Sequence, residues 1–541
     1  MRLWIPSLHY EDLLSLSMTL ALYRPIDEKS GSLFSNPTDT ESMQSFNLKN
    51  YKMEEAKSAL YLSDETDGLS RVEGNVEIDY AAEKKLVRKL DLHIMPLIML
   101  LYLFSFLDRV NIGNARLYGL EQDLKLHGNQ YQILVSVLFV TYIIFELPSN
   151  LVVKKFGPSR WIGFIATGWG IVATLSGLSQ NFGGMLVVRL LLGALEGGFF
   201  PGLVVYLTIF YTKRELALRI SYLFTCSALA GACGGLLGYA IGFMDNVSGL
   251  RGWRWILIIE GIPTTILGIT CWFALADTPE TAKYLNLEEK TLLVARISRQ
   301  VGATKSSGEQ HWKDVREGLL DWKVWVFCFG QFGVDVMLYG YSTFLPTIIK
   351  GINPTASSAI VQVLTIPCYS LGGITYLIVG SISDRQQRRG FWCVLLGAIS
   401  IIGYGLLMSN GGMKVRYAGC FLVAMGMYVV IGLPLAWLPS HTPRYGKRTT
   451  TIALQAMIGN SAGVMSSFLY PSSQGPRFIK GHAITISMVA YGTLSFAFMW
   501  GYYTWINKRR AEGKEDYKIS GLLDEEVEEM GDNSPRFFYV A

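Results

Sequence analysis

Seven charged side chains stand inside stretches that are otherwise apolar, and their types and spacing could do chemistry. Asp108 and Arg109 are adjacent in "FSFLDRVNIGNARL" (residues 104–117), where an apolar run that begins near Leu97 ends. Glu146 lies in "YIIFELPSNL", Arg189 and Glu196 in "RLLLGALEGGFFPG", Glu260 in "WILIIEG" and Asp335 in "GVDVML". Such acids can take up and release protons, and an arginine offers a planar fork that matches a carboxylate. Each costs about 2.5–3.5 kcal/mol at the centre of a membrane helix, and seven facing lipid would cost roughly 20 kcal/mol, more than the net stability of a folded chain. They must therefore face one another or a wet cavity. Arg189 and Glu196 are seven residues apart, two helical turns, which places them on one face. Asp108, Arg109, Arg189 and Glu196 supply two acid–base pairs on different helices, more than packing requires, and we assign them function. Glu260 reads as the structural ion-pair partner of Arg251 and Arg254. Glu146 sits one turn from Tyr142 and just before Pro148, so it either joins the site or organises a helix end. Asp335 has no assigned partner.

These residues must be positioned by membrane helices. The chain has 541 residues, of which 50% are hydrophobic and 17% charged, and its mean hydropathy is +0.29. A soluble protein would carry about 25% charge. Runs of roughly 20 apolar residues, the length that crosses ~30 Å of hydrocarbon, recur along the sequence. Twelve spans centre near Leu101, Tyr142, Gly170, Leu195, Ala230, Thr265, Gly333, Leu371, Ile401, Met427, Gly463 and Gly492. The expectation is an all-α membrane protein whose twelve transmembrane helices form two six-helix halves. The seven cysteines lie in apolar segments and read as small buried hydrophobes. No metal-ligand spacing, nucleophile triad or nucleotide loop is present, so no metal, no cofactor and no enzyme is expected. The net charge of +5 is modest and gives no case for a nucleic-acid partner.

Lys and Arg set the orientation. Lys84, Lys85, Arg88 and Lys89 precede span one, Lys154, Lys155 and Arg160 follow span two, and Lys213 and Arg214 follow span four. Arg385, Arg388 and Arg389 follow span eight, and Lys508, Arg509 and Arg510 close span twelve. All fall on one side, which the positive-inside rule makes the cytoplasm, with both termini there. The organisation reads as a disordered cytoplasmic tail (1–88), a six-helix half (89–276), a cytoplasmic middle loop (277–321), a second six-helix half (322–507) and a cytoplasmic C-terminal tail (508–541). In the middle loop "EEKTLLVARISRQ" predicts a short amphipathic surface helix. His441 and His482 sit at helix edges and read as surface residues.

Two landmarks suggest that the halves are repeats. Lys154 corresponds to Asp384 (384 − 154 = 230) and Arg219 to Arg448 (448 − 219 = 229). The same offset carries Asp108 and Arg109 onto Leu338 and Tyr339, so the charged chemistry sits in the first half. The second half offers Tyr339, Tyr341, Gln331, Gln455 and Asn460. In span five "GACGGLLGYAIG" places glycines at four-residue spacing, which allows close helix contact.

"GSISDRQQRR" (380–389) resembles the cytoplasmic turn of the major facilitator superfamily, with Gln387 where Gly is usual, and "KKFGPSR" (154–160) is a degenerate copy. Asp384, Arg385 and Arg388 would form that gate turn. "LDRVNIGNARL", "ELPSNL", "LEGGFFPG", "GWRWILIIEG", "DTPETAKYL" and "YPSSQGPRFIKG" resemble the fungal anion:cation symporters, the allantoate permease-like group, from about Leu90 to Arg510. The resemblance implies a proton-driven importer of small organic anions, in a family whose substrates include allantoate, nicotinate, pantothenate, biotin and small dicarboxylates. It implies that Asp108 and Glu196 carry protons, that Arg109 holds the substrate carboxylate, that Arg189 tunes Glu196, and that Asn460 contacts substrate. Tyr142 and Glu146 would tune the same site, with Tyr339 and Tyr341 lining it. Sugar-acid relatives place a Gln in span five where this chain reads "CSALAG" (226–231), which points to a more apolar anion, such as an aromatic acid. On this reading Asp108 competes for Arg109, and protonating Asp108 frees the arginine for the anion. The rivals are an exporter of drugs or secondary metabolites on the same fold, and a non-transporting nutrient receptor. The expected partners are the anion, protons and membrane lipid, with the chain a monomer in the plasma membrane.

Overall fold

A computed structural model describes residues 80–301, 312–522, 526–527 and 530–540. The N-terminal tail expected over 1–88 lies outside the described residues up to residue 79, and its last nine residues already belong to the first helix.

Among the described residues the regular elements are helices. The first half comprises α1 (Tyr80–Leu117), a short α2 (Leu120–Asp123), α3 (Gln130–Phe156), α4 (Pro158–Ser176), α5 (Phe182–Glu196) with α6 (Phe199–Phe210), α7 (Lys213–Gly242) and α8 (Gly252–Ala274). The middle loop contributes α9 (Leu287–Val301) and α10 (Trp312–Leu320). The second half comprises α11 (Trp322–Ile352), α12 (Ser358–Gln386), α13 (Arg389–Met408), α14 (Met413–Ser440), α15 (Tyr445–Ser466) and α16 (Ile479–Ala511). Counting α5 and α6 as one span gives twelve, each holding one expected centre. Nine runs among the described residues are long and apolar enough to cross a bilayer. Side chains such as Ile262, Ile266 and Ile269 of α8 stay exposed, while Glu260 and Thr264 on its other face are buried. That division suits a helix with one lipid face and one protein face.

Local signals fix the ends. Asn181 caps α5 by accepting from Gly184 N, Asp321 caps α11 through Lys323 N, and Ser357 caps α12 through Ile360 N. Thr212 and Glu215 close a capping box on α7. Asp277, just past α8, accepts from both N and Oγ of Ser159 in the first turn of α4. The helix ends that carry the basic clusters all lie at one end of the bundle, here the tail end. The opposite end, where α1 finishes at Leu117, is the far end.

The two halves meet in a pseudo-symmetric way. A Cβ on Gly463 of α15 would run into the Phe139 ring of α3, and one on Gly231 of α7 would stand 2.6 Å from the Tyr369 ring of α12. Phe139 and Tyr369 differ by 230 and Gly231 and Gly463 by 232, so one ring-on-glycine contact occurs twice. On the two-fold itself, Gly113 of α1 abuts the Thr343 carbonyl of α11, and those positions again differ by 230. Only glycine permits these approaches. The glycine-rich stretch of α7 thus packs on α12 as its spacing predicts, with Gly235 against Thr365 and Gly238 against Gln362. Other contacts between the halves lie toward the far end: Arg116 donates to the Ser472 hydroxyl and Ser358 to the Leu117 carbonyl.

At the tail end α9 is helical as expected. It docks on the first half through buried Arg296, which pairs with Glu215 at 2.9 Å, and through Glu289, which pairs with Lys89 at 2.7 Å. α10 docks on the second half through Asp314, 2.6 Å from Arg444. The C-terminal segment folds back onto α11, α14, α15 and α16. The two histidines read as surface residues are both 2% exposed: His441 lies under that segment, and His482 packs against Tyr470. The seven cysteines are free.

Candidate functional site

The centre of the site is an ion pair between α1 and α5. Arg109 Nε donates to Glu196 Oε1 at 2.7 Å, and the Ser105 hydroxyl donates to the same oxygen. Ser105 lies one turn before Arg109, so both present on one face of α1. The Arg109 guanidinium carbon stands 4.6 Å over the Tyr142 ring of α3, a cation–π contact. Glu196 is 1% exposed, and its second oxygen, Oε2, has no hydrogen-bond partner among the described residues.

Asp108 turns elsewhere. Its Oδ2 accepts from Trp169 Nε1 of α4 at 3.0 Å and from Thr264 of α8 at 3.4 Å. The expectation that Asp108 and Arg109 act as one competing pair is therefore corrected: neighbouring helical residues point about 100° apart, and the acid that holds Arg109 is Glu196. Arg189 is buried two turns before Glu196, yet its Nε makes no hydrogen bond. Glu260 is also corrected. Arg254 and Arg251 both pair with Asp123, at 2.9 and 3.6 Å, and leave Glu260 without them.

The second half faces this pair with Tyr339 and Asn460. Tyr339 donates to Asn460 Oδ1 at 2.6 Å, and its ring stands 4.7 Å from Phe139. Asn460 also faces the Glu146 carboxylate, which is 8% exposed, so Glu146 belongs to the site rather than to a helix end. Tyr341 does not join them. Its hydroxyl donates to the Cys420 carbonyl at 2.8 Å, inside the second half. Asp335 accepts from Gln331 at 2.8 Å, and Gln455 reaches Gln331 at 3.3 Å, so these three form a separate polar cluster between α11 and α15.

Rings complete the surroundings. Tyr102 lies 5.9 Å from Phe200 and 6.4 Å from Phe224, and Phe200 and Phe224 are 6.0 Å apart. Sequence reasoning missed Ser105, Tyr102 and Trp169. Ser105 was within reach of a one-turn argument, whereas Trp169 approaches from another helix and left no local signal.

At the tail end, Asp384, Arg385 and Arg388 are exposed, and Asp384 accepts from Arg389 at 3.3 Å. Arg389 also donates to the Ala436 carbonyl at 2.5 Å, so Arg389 is the arginine that ties this turn to α14. Gln387 adopts φ +53°, the left-handed conformation that glycine favours.

A family model described as Major Facilitator Superfamily matches residues 98–467. The chain belongs to the major facilitator superfamily. An uncharacterised transporter of Schizosaccharomyces pombe is 38% identical over 472 residues, 86% of this chain and 92% of the relative. The high-affinity nicotinic acid transporter of Saccharomyces cerevisiae is 30% identical over 465 residues, 85% of each chain. A solved D-xylose-proton symporter superposes with a TM-score of 0.59 at 15% identity, over 76% of this chain and 97% of that one, and shares the fold. This member of the superfamily is an integral membrane transporter and not an enzyme.

Proposed function

We propose that the chain is a proton-coupled importer of a small organic anion, with an aromatic or otherwise apolar body and one carboxylate. The observation that carries this reading is the Arg109–Glu196 pair set among aromatic rings. A guanidinium held by a carboxylate is a site where a proton and an anion exchange. When Glu196 takes a proton, its hold on Arg109 weakens and the substrate carboxylate takes its place. Tyr102, Tyr142, Phe139 and Phe200 offer apolar surface to the rest of the molecule. Tyr339 and Asn460 would close on it from the second half. Asp108 acts as the second proton carrier from behind, through the Trp169 side. The name of the nicotinic acid transporter relative, whose cargo is an aromatic carboxylate, fits this chemistry.

The basic tail end is assigned to the cytoplasm and the chain to the plasma membrane. On that assignment, the contacts between the halves from the midplane to the far end support a state closed to the outside, which rocking of the halves would open. Radiolabelled carboxylate uptake into proteoliposomes tests the reading. Two protons with a monoanion move one net positive charge, worth about 2.3 kcal/mol per 100 mV or roughly fifty-fold accumulation. Uptake that ignores an inward proton gradient would overturn symport, and extrusion of the label would mark an exporter.

A further inference from the structure

Behind the Arg109–Glu196 pair lies a column of buried polar groups, of which the mechanism above uses Asp108 and Glu196 but not Asn111, Arg189 or Glu260. Among the described residues, Asp108 Oδ1, Asn111 Oδ1, Arg189 Nε, Glu196 Oε2 and both Glu260 oxygens are buried without a hydrogen-bond partner. Native interiors leave few such groups unmatched, and here they gather in one place on α1, α5 and α8.

Helix geometry orders them. α1 and α8 run antiparallel and pack together. Thr264 of α8 touches Asp108, and Glu260, one turn earlier on α8, faces Asn111, three residues later on α1. These are two rungs of one ladder. Glu260 therefore sits one turn nearer the far end than Asp108, while Ser105, one turn earlier on α1, sits nearer the tail end. The groups that face Glu260 are Asn111 and Asp108 from α1, and Arg189 of α5 faces Asp108. The bases on its own helix, Arg251 and Arg254, are held by Asp123. Among the described residues no cation pairs with this carboxyl, which is 1% exposed, and an unpaired buried charge is costly, so the group is suited to hold a proton or pass it on.

We propose that Glu260 is a third proton-exchanging carboxyl, the step between the far end and Asp108. Once Asp108 has released its own proton toward the tail end, an O–H bond breaks at Glu260 and forms at Asp108, the proton crossing through water hydrogen-bonded to Asn111, and Glu260 is reprotonated from the far side. This rests on the symport reading above, and the test separates the two.

Infrared difference spectra of the purified full chain, in water and in deuterated buffer, read protonated carboxyls directly. Glu260→Gln should lose one exchangeable carboxyl band that the parent shows, and Glu260→Asp, which keeps the carboxyl and serves as the folding control, should retain a shifted band. In proteoliposomes Glu260→Gln should slow pH-driven uptake about tenfold, an added barrier of about 1.4 kcal/mol on the proton's route, while substrate counterflow, which needs no net proton movement, stays at the parent rate. An unchanged set of bands, or pH-driven uptake equal to the parent, would overturn the proposal. A parent that shows no pH-driven uptake sinks the symport reading instead, and the infrared arm still decides whether Glu260 exchanges a proton.

Discussion

Arg109 Nε stands 2.7 Å from Glu196 Oε1, and the Ser105 hydroxyl donates to that same oxygen. One carboxylate oxygen thus occupies the place a substrate carboxylate would take on Arg109. Arg109→Lys keeps the charge and loses the planar fork. It should raise the apparent KM for uptake by roughly 10- to 100-fold, the loss of one or two charge-assisted hydrogen bonds, with the protein still reaching the membrane. An unchanged KM in the Lys variant would remove Arg109 as the clamp.

Glu196→Gln should uncouple transport rather than stop it. The amide oxygen can still accept from Ser105 and Arg109, as the carboxylate does. No proton can be released, so counterflow should survive in proteoliposomes and pH-driven accumulation should vanish. If the variant accumulates substrate like the parent, Glu196 is a structural partner of Arg109 and coupling rests on Asp108.

The two tyrosines of α11 should separate binding from stability. Tyr339 donates to Asn460 beside the Arg109 site, whereas Tyr341 donates to the Cys420 carbonyl within the second half. Tyr339→Phe should weaken apparent affinity roughly fivefold, about 1 kcal/mol for one hydrogen bond. Tyr341→Phe should leave affinity unchanged and lower the melting temperature in detergent. Loss of affinity in Tyr341→Phe with no loss in Tyr339→Phe would reverse the assignment.

Spans, basic end and repeat were legible because each rests on hydropathy, charge and spacing along one helix. Pairing between helices was not. Glu260 looked like the partner of Arg251 and Arg254 because they are near in sequence, yet Asp123 of α2 captures both arginines in space. Asp108 and Arg109 looked like one unit because they are adjacent, yet a helix turns them toward different neighbours. His441 looked exposed because it stands at a helix edge; Trp437 and Tyr503 pack against it, and the rest of the cover comes from Tyr539 and Val540, about a hundred residues on, in a segment too polar to read as packed.

That C-terminal segment makes the last prediction. Asp532 sits 2.5 Å from Lys323 and 2.8 Å from Lys447, Trp437 and His441 both bond the Val540 carbonyl, and Tyr539 stacks 4.4 Å from Tyr503. Burial pushes the Asp532 carboxyl up, but Lys323 and Lys447 outweigh it and hold it below its ordinary value. Its contribution is present above about pH 4 and is lost only in stronger acid. His441 behaves differently. Burial is the largest cause that holds its imidazole down, to about 3; the Val540 carbonyl opposes this, and Arg389 and Lys323 add to it. With the segment lifted, the ring should return toward its ordinary value near 6.5. Docking is therefore fully stable above about pH 6.5 and weakens as the pH falls from there toward 3. Limited proteolysis of the full chain should cut between 512 and 540 faster at pH 5.5 than at pH 7.5. His441→Asn, which does not titrate, should flatten that difference. Asp532→Asn should speed cutting at both pH values, since breaking a buried ion pair costs about 3–5 kcal/mol. Equal pH dependence in His441→Asn and the parent would show that another group controls the release.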